Sequence, residues 1–334
     1  MNKLGKIFII SFAIILFVTP FSSGSEIENI LRASLDAPSQ VNLEGIREEK
    51  IFTSKLTHTF VSKVIYQKPN FIYLEYINPS QITGRVLIDD GEKRIEYLPK
   101  IKKTKTLLSP TSLQAEKRKE KTFQVLLQNF LISQLSPEKI LERETYVIFL
   151  SPKNPNNPSV KIWLDKETYF TLKKEKYTPQ GKLISLLIYK EIQFNKSFSQ
   201  EMLYRKIPKI PPITKKNIPS IFYDLEQLKD QINFSLSLPQ CFPPDYIFQE
   251  AELMRDNKTI KLAYTNGIQI MVFFQRPHTN LMMQQHPIEF GDVKVRFREG
   301  LFGNTLVWNK ENRTFILMGE LNLEEMVKIA HSMK

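Results

Sequence analysis

The stretch FIYLEYINPSQITGRVLIDDGEKRIEYL, residues 71–98, contains three short runs of mostly β-branched, aromatic and other apolar residues. The runs are 71–76, 85–88 and 94–98, and their composition is typical of strands. Asp90 and Gly91 separate the last two runs, and glycine adopts the positive φ of a hairpin turn without steric cost. The stretch therefore predicts consecutive antiparallel strands.

The same strand pattern continues on both sides of this stretch. Strand-like runs recur at 56–66, 147–150, 160–164 and 183–194. Apolar residues at helical spacing predict a short amphipathic helix over 25–35 and a second helix over 123–131. A long antiparallel sheet has an apolar face that must be buried, and these helices are the available cover. The sequence therefore predicts an α+β fold.

The chain divides near residue 210, where prolines are concentrated. Pro208, Pro211, Pro212 and Pro219 leave few groups able to form a strand ladder, so we predict a semi-rigid linker. Short strand-like runs resume after it and end in a helix that Asn322 introduces as the cap residue. The predicted organisation is a signal peptide at 1–25, a first domain at 26–206, a linker at 207–221 and a smaller domain at 222–334.

The first 25 residues are typical of an export signal. Lys3 and Lys6 precede an apolar run at 7–18, which a proline and small residues follow. The run is short for a bilayer crossing, so a cleaved signal peptide is favoured over an uncleaved anchor. Cleavage would lower the net charge from +12 to +10. On an exported, periplasmic protein that charge favours lipid headgroups and acidic peptides as partners and argues against nucleic acid.

Motifs for catalysis and metal binding are missing from the sequence. It contains no GxSxG, HExxH, P-loop or GxGxxG pattern, and Cys241 is the only cysteine. His278 and His286 lie eight residues apart in a segment rich in proline and glutamine, which favours a solvated loop over a metal site. Asp90 and Asp165 are interpreted as turn residues. The sequence therefore predicts no catalytic residues, metal or cofactor.

Two basic clusters flank the apolar segment 107–113. One interpretation is a solvated, mobile loop. The other is an electrostatic rim around an apolar cavity, with the segment between the clusters as a flap, which receives an anionic headgroup or an acidic peptide. The residues assigned to this rim are Lys102, Lys103, Lys105, Lys117, Arg118 and Lys119.

Several of these motifs resemble known families. Residues 71–76, 84–91 and 97–99, with Trp163-Leu164-Asp165, are similar to the LolA/LolB-like lipoprotein carriers. The C-terminal motifs resemble the second domain of the periplasmic sigma-E regulatory family of RseB and MucB. The sequence departs from that family at Asn266, where aspartate is usual, and in its strongly basic stretch 100–121. The C-terminal motifs are Leu238-Pro239 with Phe242, the segments 264–268 and 272–273, Met318-Gly319-Glu320 and the segment 329–332.

The resemblance implies a half-open antiparallel β-barrel covered by helices, joined to a smaller α+β domain. It also implies a non-enzymatic regulator that binds the periplasmic segment of an anti-sigma factor and senses an amphiphile in the half-barrel. The alternative is a carrier of lipoproteins or lipids. Expected ligands are a lipid, lipopolysaccharide or a lipoprotein acyl chain, and homo-oligomer formation is left open. The apolar strand positions assigned to the cavity are Leu56, Phe60, Val64, Phe71, Tyr73, Ile88, Trp163 and Leu186.

Overall fold

The computed structural model describes residues 24–213, 220–254, 256–278, 288–290 and 293–333. The predicted signal peptide lies outside this part of the chain except for its last two residues, and His286 also lies outside it. Among the described residues, no helix is long and apolar enough to cross a membrane. We refer to residues 24–213 as the N-terminal part and to residues 220–333 as the C-terminal part.

The N-terminal part contains an eleven-stranded antiparallel sheet. Its order is β6-β5-β4-β3-β2-β1-β11-β10-β9-β8-β7, so the first and last strands pair in the middle while β6 and β7 form the two ends. The predicted antiparallel α+β fold is confirmed, whereas the curvature of a half-barrel stays a prediction. The strands are β1 Leu43–Phe52, β2 Thr57–Gln67, β3 Phe71–Asn78, β4 Val86–Asp89, β5 Lys93–Leu98, β6 Lys103–Leu108, β7 Phe130–Ile140, β8 Arg143–Pro152, β9 Ser159–Asp165, β10 Thr171–Tyr177 and β11 Leu183–Phe194.

Two long helices pack on one face of this sheet. Ile30 of α1 (Gly24–Gln40) and Phe123 of α2 (Ser112–Asn129) share a core with Ile148 on β8. The far end of α1 packs over Val64 on β2. We call this side of the sheet the helix face.

Helix α2 is longer than the sequence predicted. Thr111 caps it, because its side chain accepts a hydrogen bond from the Gln114 amide while the Gln114 side chain accepts one from the Thr111 amide. The helix therefore begins at Ser112 and includes the basic run. Phe130 already pairs with β8, so the predicted helix over 123–131 was wrong at both ends.

The opposite side of the sheet is covered by the chain that leaves it, and we call it the α3 face. Tyr73 and Ile88 are buried there beneath α3 (Gln200–Tyr204) and Ile207. Ile207 belongs to the predicted linker but is only 5% exposed, so this end of the segment packs on the sheet. At the other end, residues 220–222 pair with residues 251–253 of the C-terminal part. Both ends of the predicted linker 207–221 are therefore packed or paired, and residues 214–219 lie outside the described part.

The C-terminal part contains an eight-stranded antiparallel sheet in the order β12-β13-β14-β15-β19-β18-β17-β16. Helix α5 (Leu323–His331) packs Met326 and Ile329 onto Phe273 and Leu317 in the core of this part. Asn322 forms the predicted capping box of α5 with Glu325. The other elements are β12 Ser220–Phe222, α4 Leu225–Lys229, β13 Ile247–Leu253, β14 Ile260–Thr265, β15 Ile270–Pro277, β16 Ile288–Phe290, β17 Val293–Arg298, β18 Asn304–Lys310 and β19 Arg313–Gly319.

Candidate functional site

A cavity of about 600 Å³ lies between the first sheet and the C-terminal part. Strands β1, β10 and β11 supply one wall. The loop 300–304 between β17 and β18 supplies the other, together with residues 320–322 before α5. This volume is within the range of sites that hold small molecules.

Apolar side chains dominate the cavity opening. Phe302 lies on the loop 300–304 and is 73% exposed, and its neighbour Leu301 is also exposed. Across the opening, the ring of Phe60 on β2 lies 5.8 Å from the ring of Phe302. Large apolar side chains that are open to solvent beside a concave wall are typical of binding sites. Phe60 and Phe302 therefore form an apolar contact between the two parts at this opening.

Two lysines of β10 project into the cavity. Lys174 pairs with Ile162 of β9 and Leu187 of β11, which places Lys174 and, two residues on, Lys176 on the helix face. Lys176 Nζ hydrogen-bonds with Glu320 Oε2 of the C-terminal part. In the described part of the chain, the side chain of Lys174 has neither a hydrogen bond nor an ion pair.

Lys174 is reached by water but is surrounded by protein on several sides. This partial removal from bulk water lowers the pKa of its ammonium group, and repulsion from Lys176 lowers it further, while Glu320 acts in the opposite direction. Both terms disfavour a bare ammonium ion. The cavity therefore contains a cation that an incoming anion would stabilise.

Helix α2 is linked to the C-terminal part by side-chain hydrogen bonds. Arg118 Nε donates to Glu250 Oε2 at 2.5 Å, and Gln249 Nε2 donates to Thr122 Oγ1 at 2.9 Å. Asn129 Nδ2 donates to the carbonyl oxygens of Asp245 at 2.7 Å and Asn266 at 3.0 Å. These contacts run along one side of α2, so the helix joins the two sheets directly.

The turn after β14 packs against the backbone of α2. Gly267 has φ +99°, and a Cβ built there would lie 2.6 Å from the Leu126 nitrogen. Only glycine allows both that conformation and that approach. The Asn266-Gly267 motif of the sequence thus serves the contact between the two parts.

A buried carboxylate organises the same interface. Asp245 accepts from the side-chain amide of Asn157 at 2.5 Å and from that of Asn154 at 3.3 Å. Asn266 Nδ2 adds a third contact at 3.4 Å. The three amides come from both parts of the chain, so this carboxylate helps to hold them together.

The structure does not bring the eight predicted cavity residues to one place. Leu186 lines the cavity, and Phe60 contacts its lining residue Phe302. Leu56 lies in the turn between β1 and β2 and is 64% exposed. Val64 lies beneath α1 on the helix face.

The remaining four lie on the other side of the sheet. Tyr73 pairs with Ile65 and with Ile88, and Ile65 points away from its neighbour Val64. Phe71, Tyr73 and Ile88 are therefore packed under α3. Trp163 also points to the α3 face, where its Nε1 donates to Glu138 Oε2 at 2.8 Å. A shift of one residue in the assumed register accounts for this error.

The predicted basic rim is also divided. Lys103 and Lys105 lie on the end strand β6, which Lys102 precedes in a left-handed conformation. Lys117, Arg118 and Lys119 belong to α2 instead. The flap prediction was therefore wrong, since the segment is an edge strand followed by a helix, and the loop alternative fails for the same reason.

The α2 members of the rim are used within the protein. Lys117 Nζ lies 4.7 Å from the centre of the Tyr223 ring, and Arg118 pairs with Glu250. Lys119 pairs with Asp36 of α1 and with Glu116. These three basic side chains therefore connect α2 with α1 and with the C-terminal part.

Sequence reasoning missed Lys174, Lys176 and Phe302. A signal for the lysines was their alternate spacing in a strand-like run, which places both on one face. A signal for Phe302 was an aromatic residue within the loop between Gly300 and Gly303.

Comparison with known proteins bears on the fold. A domain of unknown function, DUF4367, matches residues 237–333, and no curated protein matches the chain. A chain of the Pseudomonas aeruginosa MucA/MucB complex is 13% identical, with a TM-score of 0.59, over 92% of this chain and 98% of that chain. MucB in complex with MucA(peri) gives 11% identity and a TM-score of 0.57, over 92% and 98%.

MucB alone matches equally well, at 11% identity and a TM-score of 0.57, over 93% of this chain and 98% of that chain. At such identities the likeness establishes the fold and nothing about ligands. It extends over both sheets, because the covered share exceeds either part alone. The resemblance seen in the sequence is thus confirmed at the level of the fold, and this chain has the fold of the MucB structures.

Proposed function

We propose that this chain is an exported, non-enzymatic regulator of the RseB/MucB type. It holds an anionic amphiphile in the cavity between its two parts and binds the periplasmic segment of an anti-sigma factor. The observation that carries the proposal is an apolar cavity whose wall contains Lys174, which forms no ion pair among the described residues. The solved complexes of MucB with MucA support the choice of protein partner.

The cavity suits a ligand with one alkyl chain and one acidic group. Ile51, Leu187 and Phe302 offer apolar surface, and each buried methylene contributes about 0.8 kcal/mol. An acidic headgroup beside Lys174 would offset the repulsion between Lys174 and Lys176. The excess of basic residues, +12 for the whole chain, attracts such ligands from a distance.

The position of the cavity couples ligand binding to the arrangement of the two parts. An alkyl chain that enters at the opening competes with the contact between Phe60 and Phe302. The ligand therefore favours arrangements in which that contact is open. A partner that binds both parts would sense this change as a change in affinity.

A carrier is the second candidate function. The exposed Phe302 at the opening favours it, because ligand exchange needs an accessible entrance. A carrier would hold the same amphiphile but would bind no anti-sigma segment. The two functions therefore share the cavity and differ in the protein partner.

Calorimetric titration tests the ligand. We expect dodecanoate to bind the purified protein at least about tenfold more tightly than dodecyl maltoside, a difference of about 1.4 kcal/mol. Lys174→Gln should remove this preference, while Lys190→Gln, outside the cavity on β11, should preserve it. Equal binding of both amphiphiles would reject the anionic ligand.

A second titration separates regulator from carrier. The periplasmic segment of an anti-sigma factor from the same genome is added to the protein with and without dodecanoate. A regulator binds the segment, and saturating dodecanoate changes its affinity by at least about fivefold, the lower range of allosteric coupling. Tight dodecanoate binding with no segment bound would instead support the carrier.

A further inference from the structure

Helix α2 contacts one face of the second sheet at β13, through Glu250, and apolar side chains of β15 and β19 lie on the same face. Phe273 and Leu317 point toward α5 in the core, so the residues between them in the two strands point the other way. Val272 pairs with Met318, and Phe274 pairs with Ile316. We call Ile270, Val272, Phe274, Ile316 and Met318 the β15–β19 face.

This face is accessible in the described part of the chain. Ile270 is 56% exposed and Met318 is 41% exposed, whereas Val272, Phe274 and Ile316 are half-buried. None of the five lines the cavity. A contiguous apolar patch on two paired strands is typical of an interaction surface, and methionine and aromatic residues are enriched in such surfaces.

Positive charge borders the patch. Val307 pairs with Ile316 on one side and with Arg296 on the other, so Arg296 points to the same side of the sheet. Arg298 follows two residues later on the same strand. Neither arginine has an ion pair within the described residues. Glu250, on the same side, is already neutralised by Arg118.

We propose that the β15–β19 face binds an acidic amphipathic helix of a partner protein. A helix is the element that covers the other face of this sheet, where α5 packs, and an apolar stripe would bury the patch in the same way. Glutamates beside the stripe would pair with Arg296 and Arg298. A second copy of the chain fits poorly, because a two-fold contact would bring the same arginines together. The proposal does not rest on the ligand of the cavity.

The test uses two labelled peptides of about 18 residues, or five helical turns, with the same leucine stripe. One peptide has glutamates beside the stripe and the other has lysines. We expect the glutamate peptide to bind the full protein at least about tenfold more tightly in fluorescence anisotropy at low salt, and less so at high salt. Hydrogen exchange should show protection of β15 and β19.

Variants locate the binding. The double variant Ile270→Glu with Met318→Glu should bind the glutamate peptide at least about tenfold more weakly, because repulsion between carboxylates replaces the apolar contact. Arg296→Glu with Arg298→Glu should abolish the preference between the peptides. The matched controls are Leu56→Glu, at a position 64% exposed, and Arg205→Glu, whose side chain is 72% exposed, and both lie on the N-terminal part. Circular dichroism confirms that each variant is folded.

Several outcomes would overturn the proposal. One is equal binding of the two peptides, and another is glutamate-peptide binding that the double variants do not change. Binding of anionic vesicles in place of the glutamate peptide, lost in the same variants, would assign the face to lipid. Self-association lost in those variants would assign it to a second copy. Neither result would bear on dodecanoate binding in the cavity.

Discussion

Arg118 on helix α2 donates a hydrogen bond from Nε to Oε2 of Glu250 on strand β13 at 2.5 Å. The Glu250 side chain is 5% exposed, so this pair is largely removed from water. The two residues are 132 positions apart in the sequence. Arg118 belongs to a basic run of the sequence, and its pairing with Glu250 forms a contact between the two parts of the protein.

Removing Arg118 should destabilise the protein strongly. Arg118→Ala leaves the Glu250 carboxylate buried without a counterion, a change that costs about 3 to 5 kcal/mol in comparable pairs. The double variant Arg118→Ala with Glu250→Gln should lose clearly less unfolding free energy than Arg118→Ala alone, because no uncompensated charge remains. Urea unfolding measures both. Lys119→Ala is the control, and its more exposed pair with Asp36 should contribute about 1 kcal/mol or less. A double variant at least as unstable as Arg118→Ala alone would contradict the pairing.

Gly267→Ala should separate the two parts. The new methyl group would lie 2.6 Å from the Leu126 nitrogen, and the positive φ adds a backbone cost of about 1 to 2 kcal/mol. Gly181→Ala is a matched control, because its φ is +79° with no atom within 4 Å of the new Cβ. We expect a larger loss of unfolding free energy at Gly267, together with altered dodecanoate affinity. Equal losses in the two variants would show that the close approach is unimportant.

The pKa of Lys174 should make anion binding depend on pH. Because the surrounding protein and the charge of Lys176 lower this pKa, the ammonium group loses its proton at a lower pH than an ordinary lysine does. Dodecanoate affinity should therefore fall as the pH rises through the lowered pKa. Lys174→Arg should extend binding to higher pH, because arginine stays charged. Calorimetric titration across the pH range measures this, and an unchanged affinity would contradict the role of Lys174.

Lys174 should also lower the free energy of unfolding of the protein. Its folded pKa lies below its unfolded pKa, so between these values the unfolded chain binds more protons and the free energy of unfolding rises with pH. At neutral pH the charged form carries the penalty. Lys174→Met should therefore stabilise the fold while weakening the binding of dodecanoate. Urea unfolding at neutral pH measures the gain in the free energy of unfolding. A variant that is both less stable and weaker in binding would indicate a structural lysine.

Asp165 should contribute to stability at neutral pH and lose that contribution in acid. Burial alone would raise its pKa, but hydrogen bonds from Arg143 and Thr168 outweigh burial and lower it. The contribution is therefore present above the unfolded pKa and disappears as the pH falls through the folded pKa. Asp165→Asn should flatten the acid side of the stability profile measured by thermal unfolding. A profile like that of the unchanged protein would contradict this assignment.

Local patterns predicted much of the fold. The turn at Asp90-Gly91, the strand runs around it and the Asn322 cap of α5 all lie where the sequence indicated. Each depends on residues a few positions apart, so neighbouring side chains contain the necessary information. The start of α2 was missed although Thr111 and Gln114 form a capping box, because the basic run was interpreted as a loop.

The site was harder to predict because it depends on register. Tyr73 and Ile88 have the same strand pattern as Val64. Pairing nevertheless places Tyr73 and Ile88 on one side of the sheet and Val64 on the other. Alternation along a strand distinguishes two faces without indicating which one a distant helix will cover. The cavity lysines were missed for the same reason, since their face is defined by pairing with β9 and β11.

The sequence by itself determined an antiparallel α+β chain with two sets of strands, a positive charge and no recognisable catalytic motif. Those properties follow from composition and short-range periodicity. Only the tertiary structure decided that Arg118 joins the two parts, that Lys174 lies in a cavity with no ion pair to a described residue and that Phe302 contacts Phe60. Each of these contacts joins residues that are remote in the chain, and their proximity results from packing the second part against α2 and the first sheet.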